Sequence, residues 1–140
     1  MRRGLTLLEL LLAIVISGLL LGVSLPRFAA ARDRLMVDEE VRRLTSAHRR
    51  ARITAILQSR AIVLFVSADS LSLSDVVDPA VSWREPGPAS RGVGLAGGAR
   101  QIIFSPVGMS MGVSNASFRL SRGSATRTVV VSRLGRVRVQ

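Results

Sequence analysis

The sequence predicts an α+β protein, in which one long N-terminal helix precedes a small antiparallel β-sandwich-like domain. Three observations predict this fold. Residues 5–25 are apolar apart from four polar side chains, and residues 27–59 repeat apolar positions at helical spacing. After Arg60 the apolar positions fall in short runs separated by turn residues. One helical pattern followed by a series of strand patterns is typical of the α+β class.

The first segment is long enough to cross a membrane. At ~1.5 Å per residue its helix spans ~30 Å, which is the thickness of the hydrocarbon core. Arg2 and Arg3 precede it, so the positive-inside rule predicts a cytoplasmic N-terminus and an extracytoplasmic remainder. Glu9 does not suit this environment, because a carboxylate inside a membrane span costs ~2.5–3.5 kcal/mol.

Two simple interpretations leave Glu9 unexplained. One is an ordinary single-span anchor. The other is a cleavable secretory signal, in which the alanines at residues 29–31 imitate a cleavage site before Arg32. The apolar run is longer than the ~7–15 residues of a signal peptide, and Arg27 lies beside that site, so the secretory interpretation is disfavoured.

Residues 27–59 predict an amphipathic continuation of the helix. Pro26 precedes them and is expected to kink or locally open it. Six positions with alternating spacings of four and three form one stripe: Val37, Val41, Leu44, His48, Ala51 and Ala55. His48 is the only histidine and the chain has no Cys, so we interpret it as a packing residue rather than a catalytic group or metal ligand.

The same helix contains many charged residues. Arginines occupy positions 42, 43, 49, 50 and 52, and we expect a solvated face, with subunit or lipid-headgroup contact as the alternative. Acids precede several of them at helical spacing, from Asp38 to Arg42 and from Glu39 and Glu40 to Arg43. This order predicts local ion pairs along the helix.

Residues 61–140 predict a β domain of short strands joined by turns. Seven strands are predicted, and the third of them combines residues 76–77 and 81–83. The other six cover residues 61–67, 70–74, 101–104, 117–121, 126–132 and 136–139. Residues 86–98, with two Pro and five Gly, are expected to form a loop. This loop contains a G-x-G-x-x-G match without the required strand-then-helix context, so nucleotide binding is not predicted.

The charge distribution indicates which kinds of partner the chain can bind. The net charge is +11, and no Asp or Glu follows residue 85. A basic C-terminal half attracts anions such as phosphates, nucleic acid or acidic protein surfaces. No nucleophile–base pair or ligand cluster follows residue 60, so we predict neither an enzyme nor a cofactor or metal site.

The N-terminal stretch Gly4-Leu-Thr-Leu-Leu-Glu9, with its basic leader and apolar continuation, resembles the type IV prepilin signature, which type II secretion pseudopilins share. The resemblance implies that a prepilin peptidase cleaves between Gly4 and Leu5 and methylates the amine of Leu5. It also implies that Glu9 pairs with the N-terminal amine of a neighbouring subunit. The implied organisation is a leader at 1–4, a transmembrane half-helix at 5–26, an amphipathic half-helix at 27–60 and a periplasmic β domain at 61–140.

The C-terminal half refines this resemblance. Residues 101–108 (QIIFSPVG) and 134–139 (LGRVRV) resemble the H-type pseudopilins and FimT-like minor pilins. H-type pseudopilins are minor components near the tip of a periplasmic pseudopilus that drives protein export. FimT-like pilins belong to type IV pili, and some bind DNA during natural transformation.

A Gly-Arg-x-Arg element carries the DNA-binding resemblance. Gly135, Arg136 and Arg138 match it, and four further arginines are candidates to widen the basic surface: Arg119, Arg122, Arg127 and Arg133. Arg136 and Arg138 would lie on the same face of a strand, where their guanidinium groups could bind adjacent phosphates. Two alternatives stay open, namely the solvated face of an edge strand and a contact with an acidic neighbouring pseudopilin.

Overall fold

The computed structural model describes residues 6–111, 116–132 and 134–140, and it confirms one long helix followed by antiparallel sheets. The chain forms two compact units, residues 1–32 and 33–140. The boundary falls within the helix α1, Leu7–Gln58, which continues through Pro26. Pro26 removes one amide donor from the helix, but it does not end it.

The first unit is an apolar helical segment. α1 is the one helix among the described residues that is long and apolar enough to cross a membrane. None of its apolar segment is buried within the chain. Its leucines and isoleucines therefore require lipid or other protein subunits to cover them.

The second unit begins with the remainder of α1, whose predicted stripe is confirmed. Every predicted position is buried, and Ala47 joins them on the same face. His48 is buried with the apolar residues, as the packing interpretation expects. Of the five arginines that lie between these positions, Arg42, Arg49 and Arg50 are exposed, whereas the other two, at 43 and 52, are partly buried.

Nine strands follow α1 in the described part of the chain: β1 Ile62–Val66, β2 Ser70–Asp75, β3 Val81–Pro86, β4 Gly94–Ala96, β5 Arg100–Phe104, β6 Ser110–Met111, β7 Ala116–Arg122, β8 Ala125–Val131 and β9 Val137–Val139. The first sheet has the order β3-β2-β1-β5-β6, and the second has the order β4-β7-β8-β9. Every pairing is antiparallel.

One hydrophobic core joins α1 to both sheets. In the first sheet, Leu64 on the central strand pairs with Leu73 on one side and Ile102 on the other. In the second sheet, Phe118 pairs with Val129. These side chains are buried and alternate with more exposed neighbours, which is the pattern expected when one face of each sheet covers a core.

Two segments differ from their predicted structure. Residues 76–77 do not extend a strand, because the Val77 amide donates to Asp75 Oδ1 at 2.8 Å and closes an Asx turn. This bond is the main cause of a lowered pKa for the Asp75 carboxyl. Within the predicted loop, Pro88–Arg91 forms a short 3-10 helix, and β4 pairs with β7 through Leu95 and Leu120.

The acids of α1 form longer-range ion pairs than predicted. Asp33 accepts from Arg122 Nε at 2.8 Å, and Asp38 lies 3.1 Å from Arg127 Nε. The buried Glu40 lies 2.7 Å from an Arg91 nitrogen but 3.7 Å from Arg43, the helical neighbour that the sequence predicts.

Arg43 also contacts Glu85 of β3 at 3.3 Å. Tertiary packing therefore overrides most of the local pairing expected along the helix.

His48 is buried on the face of α1 that packs against the sheets. Its ring meets Phe104 edge-on, with centroids 4.9 Å apart. Burial, followed by the positive charge of Arg52, lowers the pKa of His48 from 6.5 to about 4. The imidazole is therefore neutral in the folded chain at neutral pH.

Acidification should destabilise the second unit through His48. Because the folded pKa lies below the unfolded value, neutral burial stabilises the fold fully above pH 6.5, and that stability is lost as the pH falls towards 4. We expect the free energy of unfolding to fall by about 2 kcal/mol between pH 7 and pH 5 from this group.

Chemical unfolding of the full chain in neutral detergent measures this difference. His48→Gln removes the titrating group and should remove most of the difference. An equal pH dependence in the variant would contradict this account of His48.

Candidate assembly and anion-binding sites

Glu9 and Thr6 form a capping box at the N-terminus of α1. The Thr6 amide donates to Glu9 Oε2 at 3.4 Å, and the Glu9 amide donates to Thr6 Oγ1 at 3.3 Å. The carboxylate also lies at the positive end of the helix dipole. These contacts orient Glu9, but they leave most of its hydrogen-bonding capacity unused.

The surroundings of Glu9 are apolar. Leu7 and Leu8 are each 78% exposed within the chain, and no ion pair reaches Glu9 from the described residues. In hydrocarbon this carboxylate therefore requires a cation from outside the described part of the chain. Gly4 and Leu5, the predicted cleavage and methylation positions, lie outside the described residues.

The C-terminal Gly-Arg-x-Arg element begins in a tight turn that requires glycine. Gly135 has φ +68°, and a Cβ there would lie 3.2 Å from the carbonyl oxygen of Gly108. The Gly135 amide donates to the Ser132 carbonyl at 2.9 Å, and the Ser132 amide donates to the Arg136 carbonyl at 2.9 Å. This turn leads directly into β9.

Arg136 and Arg138 are exposed at the edge of the second sheet. Arg138 pairs in register with Val130, whereas Val137 pairs with the buried Val131. Arg138 therefore lies on the outer face, and strand alternation puts Arg136 on the same side. Neither arginine forms an ion pair within the described residues.

The other candidate arginines are not all beside this pair. Arg119 is exposed on the outer face of β7. It pairs in register with Thr128 of β8. Arg122 and Arg127 instead form ion pairs with acids of α1. Arg127 also lies on the opposite face of β8 from Val130, the partner of Arg138. Arg133 lies outside the described residues.

The sequence identified Arg49 and Arg52 as part of a basic cluster on the helix, but it did not place them beside this element. A cavity of about 250 Å³ adjoins the turn, and its lining is Thr45, His48, Arg49, Arg52, Gly135 and Val137. The four α1 residues in it are spaced i, i+3, i+4 and i+7, so the sequence contained the signal for a common face. It contained no signal for which strand this face meets.

Metal chemistry has no support from the described side chains. Among them, no group of three or more His, Asp or Glu residues is close enough together to hold a metal ion. Arginine and serine dominate the exposed polar positions of the second unit. The arrangement therefore suits contacts with anions and with protein.

Comparisons with known proteins agree with the geometry of both units. The family described as "Type II transport protein GspH" matches residues 40–135, and the "Prokaryotic N-terminal methylation motif" matches residues 1–25. "Pilin-like protein PilA1" of Thermus thermophilus is 34% identical over 156 residues, covering 99% of each chain.

Solved structures agree in fold. Two crystal structures of the type IV minor pilin FimU of Pseudomonas aeruginosa are similar, with TM-scores of 0.63 and 0.59 at 17% and 16% identity. The first covers 76% of this chain and 90% of FimU, and the second covers 74% and 91%. With a methylation motif at its N-terminus and a GspH match over most of its remainder, this chain belongs to the GspH family of type IV pilin-like proteins, as the sequence resemblance implies.

Proposed function

We propose that this minor pilin-like protein is a single-pass protein of the inner membrane that is built into a filament through α1. The N-terminus is cytoplasmic and the C-terminal domain periplasmic, with Arg2 and Arg3 supporting this orientation. One observation carries the proposal: α1 has an apolar, exposed N-terminal segment with a single carboxylate near its start. Such a segment can be buried in a lipid bilayer before assembly and among similar helices of other subunits after it.

Processing would prepare this segment for assembly. A prepilin peptidase cleaves between Gly4 and Leu5 and methylates the new amine of Leu5. The match to the N-terminal methylation motif over residues 1–25 supports this step. Cleavage makes Glu9 the fifth residue of the mature chain and creates a free amine in the same apolar layer.

The filament supplies the cation that Glu9 needs. The N-terminal amine of a neighbouring subunit pairs with the Glu9 carboxylate, so both charges are neutralised where water is excluded. An unpaired buried charge costs several kcal/mol, and a matched pair avoids most of that cost. The capping box supports this role because it orients the carboxylate before assembly.

We assign the filament to protein export, with the chain at or near the tip of a type II secretion pseudopilus. The family description "Type II transport protein GspH" over residues 40–135 supports this assignment. The second unit would then be the periplasmic part that contacts other pseudopilin subunits.

A second candidate function is DNA binding by a FimT-like minor type IV pilin. The exposure of Arg136 and Arg138 on one face of an edge strand favours it. The likeness to the pilin-like protein PilA1, and in fold to the type IV minor pilin FimU, is compatible with a type IV pilus. Binding through these arginines would be independent of the DNA base sequence and would weaken as the salt concentration rises.

Glu9→Ala should abolish incorporation into filaments, because no carboxylate remains to pair with the neighbouring amine. The measurement is the amount of this chain in the sheared filament fraction relative to the membrane fraction. Glu9→Gln should fail in the same way, since it keeps the shape but loses the charge.

Thr6→Ala is the matched control, because it removes the capping hydroxyl and keeps the carboxylate. It should incorporate at close to the wild-type level. Wild-type incorporation of Glu9→Ala would refute the charge-pairing step.

The mature protein should begin at a methylated Leu5. Intact-mass and N-terminal peptide spectra of the membrane-extracted chain measure this directly. Gly4→Val should block the cut, because a branched side chain crowds the scissile bond, and the precursor should accumulate. A mature chain that begins at Arg32 would instead indicate a secretory signal peptidase.

DNA binding should depend on the C-terminal element. The full chain in lipid nanodiscs is titrated with duplex DNA at several salt concentrations, and Arg136→Ala/Arg138→Ala should weaken binding and lower the salt slope by about 2. Arg84→Ala/Arg100→Ala is a control with the same loss of charge on the first sheet. Equal effects of both double variants would reject the assigned site, and no binding even at low salt would reject the function.

A further inference from the structure

A groove lies beside the edge of the second sheet, between α1 and β9. One part has a volume of about 350 Å³ and is lined by Val41, Arg42, Thr45, Ser46, Arg49 and Val139. The other part is the cavity of about 250 Å³ beside Gly135. Thr45 and Arg49 line both parts, so the two are neighbouring sections of one depression. We call it the α1–β9 groove.

The section beside Gly135 presents donors that lack acceptors. His48 Nε2 and Arg52 Nε are buried and have no hydrogen-bond partner among the described residues. His48 is only 4% exposed, and its neutral imidazole can donate a proton from Nε2. A buried donor without an acceptor destabilises the fold, so an external acceptor would be stabilising here.

The electrostatics specify the sign of that acceptor. Arg49 and Arg52 contribute two positive charges, and no Asp or Glu is among the lining residues of either section. A carboxylate or a phosphate fits this donor set. The wall beside it is Gly135, where any side chain would crowd the neighbouring backbone.

The other section distinguishes between these two anions. Val41 and Val139 supply an apolar surface there, and Val139 is 47% exposed. Among the described strands, β9 pairs only with β8, so its second edge is open to an added strand. A peptide offers an apolar side chain, a carboxylate and backbone hydrogen bonds together, whereas a phosphodiester backbone offers only the anion.

We propose that the α1–β9 groove binds an extended acidic segment of a neighbouring filament subunit, with one carboxylate accepting hydrogen bonds from His48 Nε2 and Arg52 Nε. An apolar side chain of the same segment packs beside Val41 and Val139. The proposal deepens the assembly role above and rests on it for the identity of the partner. It gives the second unit a recognition site separate from the pairing of Glu9.

A suitable probe exists within the chain itself. The peptide of residues 74–80 (SDVVDPA) combines two acids with Val76 and Val77, which are 50% and 89% exposed in the fold. Its counterpart with both acids replaced by Asn (SNVVNPA) has the same shape without the charge. Binding is measured with the full chain in lipid nanodiscs, by anisotropy of the labelled peptide and by the imidazole resonances of His48, the only histidine.

The acidic peptide should bind and shift the His48 resonances, and the Asn peptide should bind about tenfold more weakly. Arg49→Gln should weaken binding of the acidic peptide about tenfold as well. Arg50→Gln is the matched control, since it removes the same charge from the same helix. Arg50 lies 5.2 Å from the ring centre of Trp83, away from the groove lining, and its loss should leave binding unchanged.

Equal binding of the acidic and Asn peptides, or no shift of His48, would overturn the proposal. So would a DNA duplex that shifts His48 in an Arg49-dependent way while the peptide does not bind, because the occupant would then be a phosphate. The unfolding midpoint of each variant is checked against the wild type to confirm folding. No filament is involved, so a failure here is distinguishable from a failure of Glu9-dependent incorporation.

Discussion

The buried face of α1 from Val37 to Ala55 is the contact on which the second unit depends. Three of its positions are alanines, at most 2% exposed, and small side chains let the helix backbone approach the strands closely. The core that it completes contains the rings of Phe104 from the first sheet and Phe118 from the second. Without this helix, each sheet would expose an apolar face, so the sheets and the second half of α1 form one cooperative core.

The uneven distribution of charge along the chain explains which arginines hold the fold together and which are free for binding. Five of the nine acids lie on α1, and every charged side chain after residue 85 is basic. Three of the α1 acids each bind an arginine from the β region, at positions 91, 122 and 127. Because the acids are used in these contacts, the remaining positive charge appears at the open end of the second sheet and in the α1–β9 groove.

The two units offer two different kinds of contact to a partner. The first unit presents an apolar surface with one oriented carboxylate, which suits helix packing in a water-free environment. The second unit presents arginines, a sheet edge and a groove, which suit recognition in water. The first surface coincides with the match to the N-terminal methylation motif, over residues 1–25, which fits a pilin-like protein.

The sequence alone determined the features that depend on neighbouring residues. The extent of α1, its buried stripe, seven of the strands and the N-terminal signature follow from spacings of two to five residues. The structure confirms the helix, the stripe and these strands with small shifts of their ends, except that residues 76–77, predicted with the third strand, form a turn. Two strands were not predicted: β4 lies within the Gly- and Pro-rich stretch at 86–98, and the two-residue β6 follows the turn at 105–108. Neither segment has a strand period of its own, and each forms where a longer strand pairs with it.

Only the tertiary structure decided the partners of the charged residues. Asp38 binds Arg127 rather than Arg42, and Arg49 and Arg52 meet Gly135 across more than eighty residues of sequence. Periodicity identifies which face of a helix or strand is buried, but not which other element covers it. That choice depends on strand order and register, which are properties of the whole packed chain.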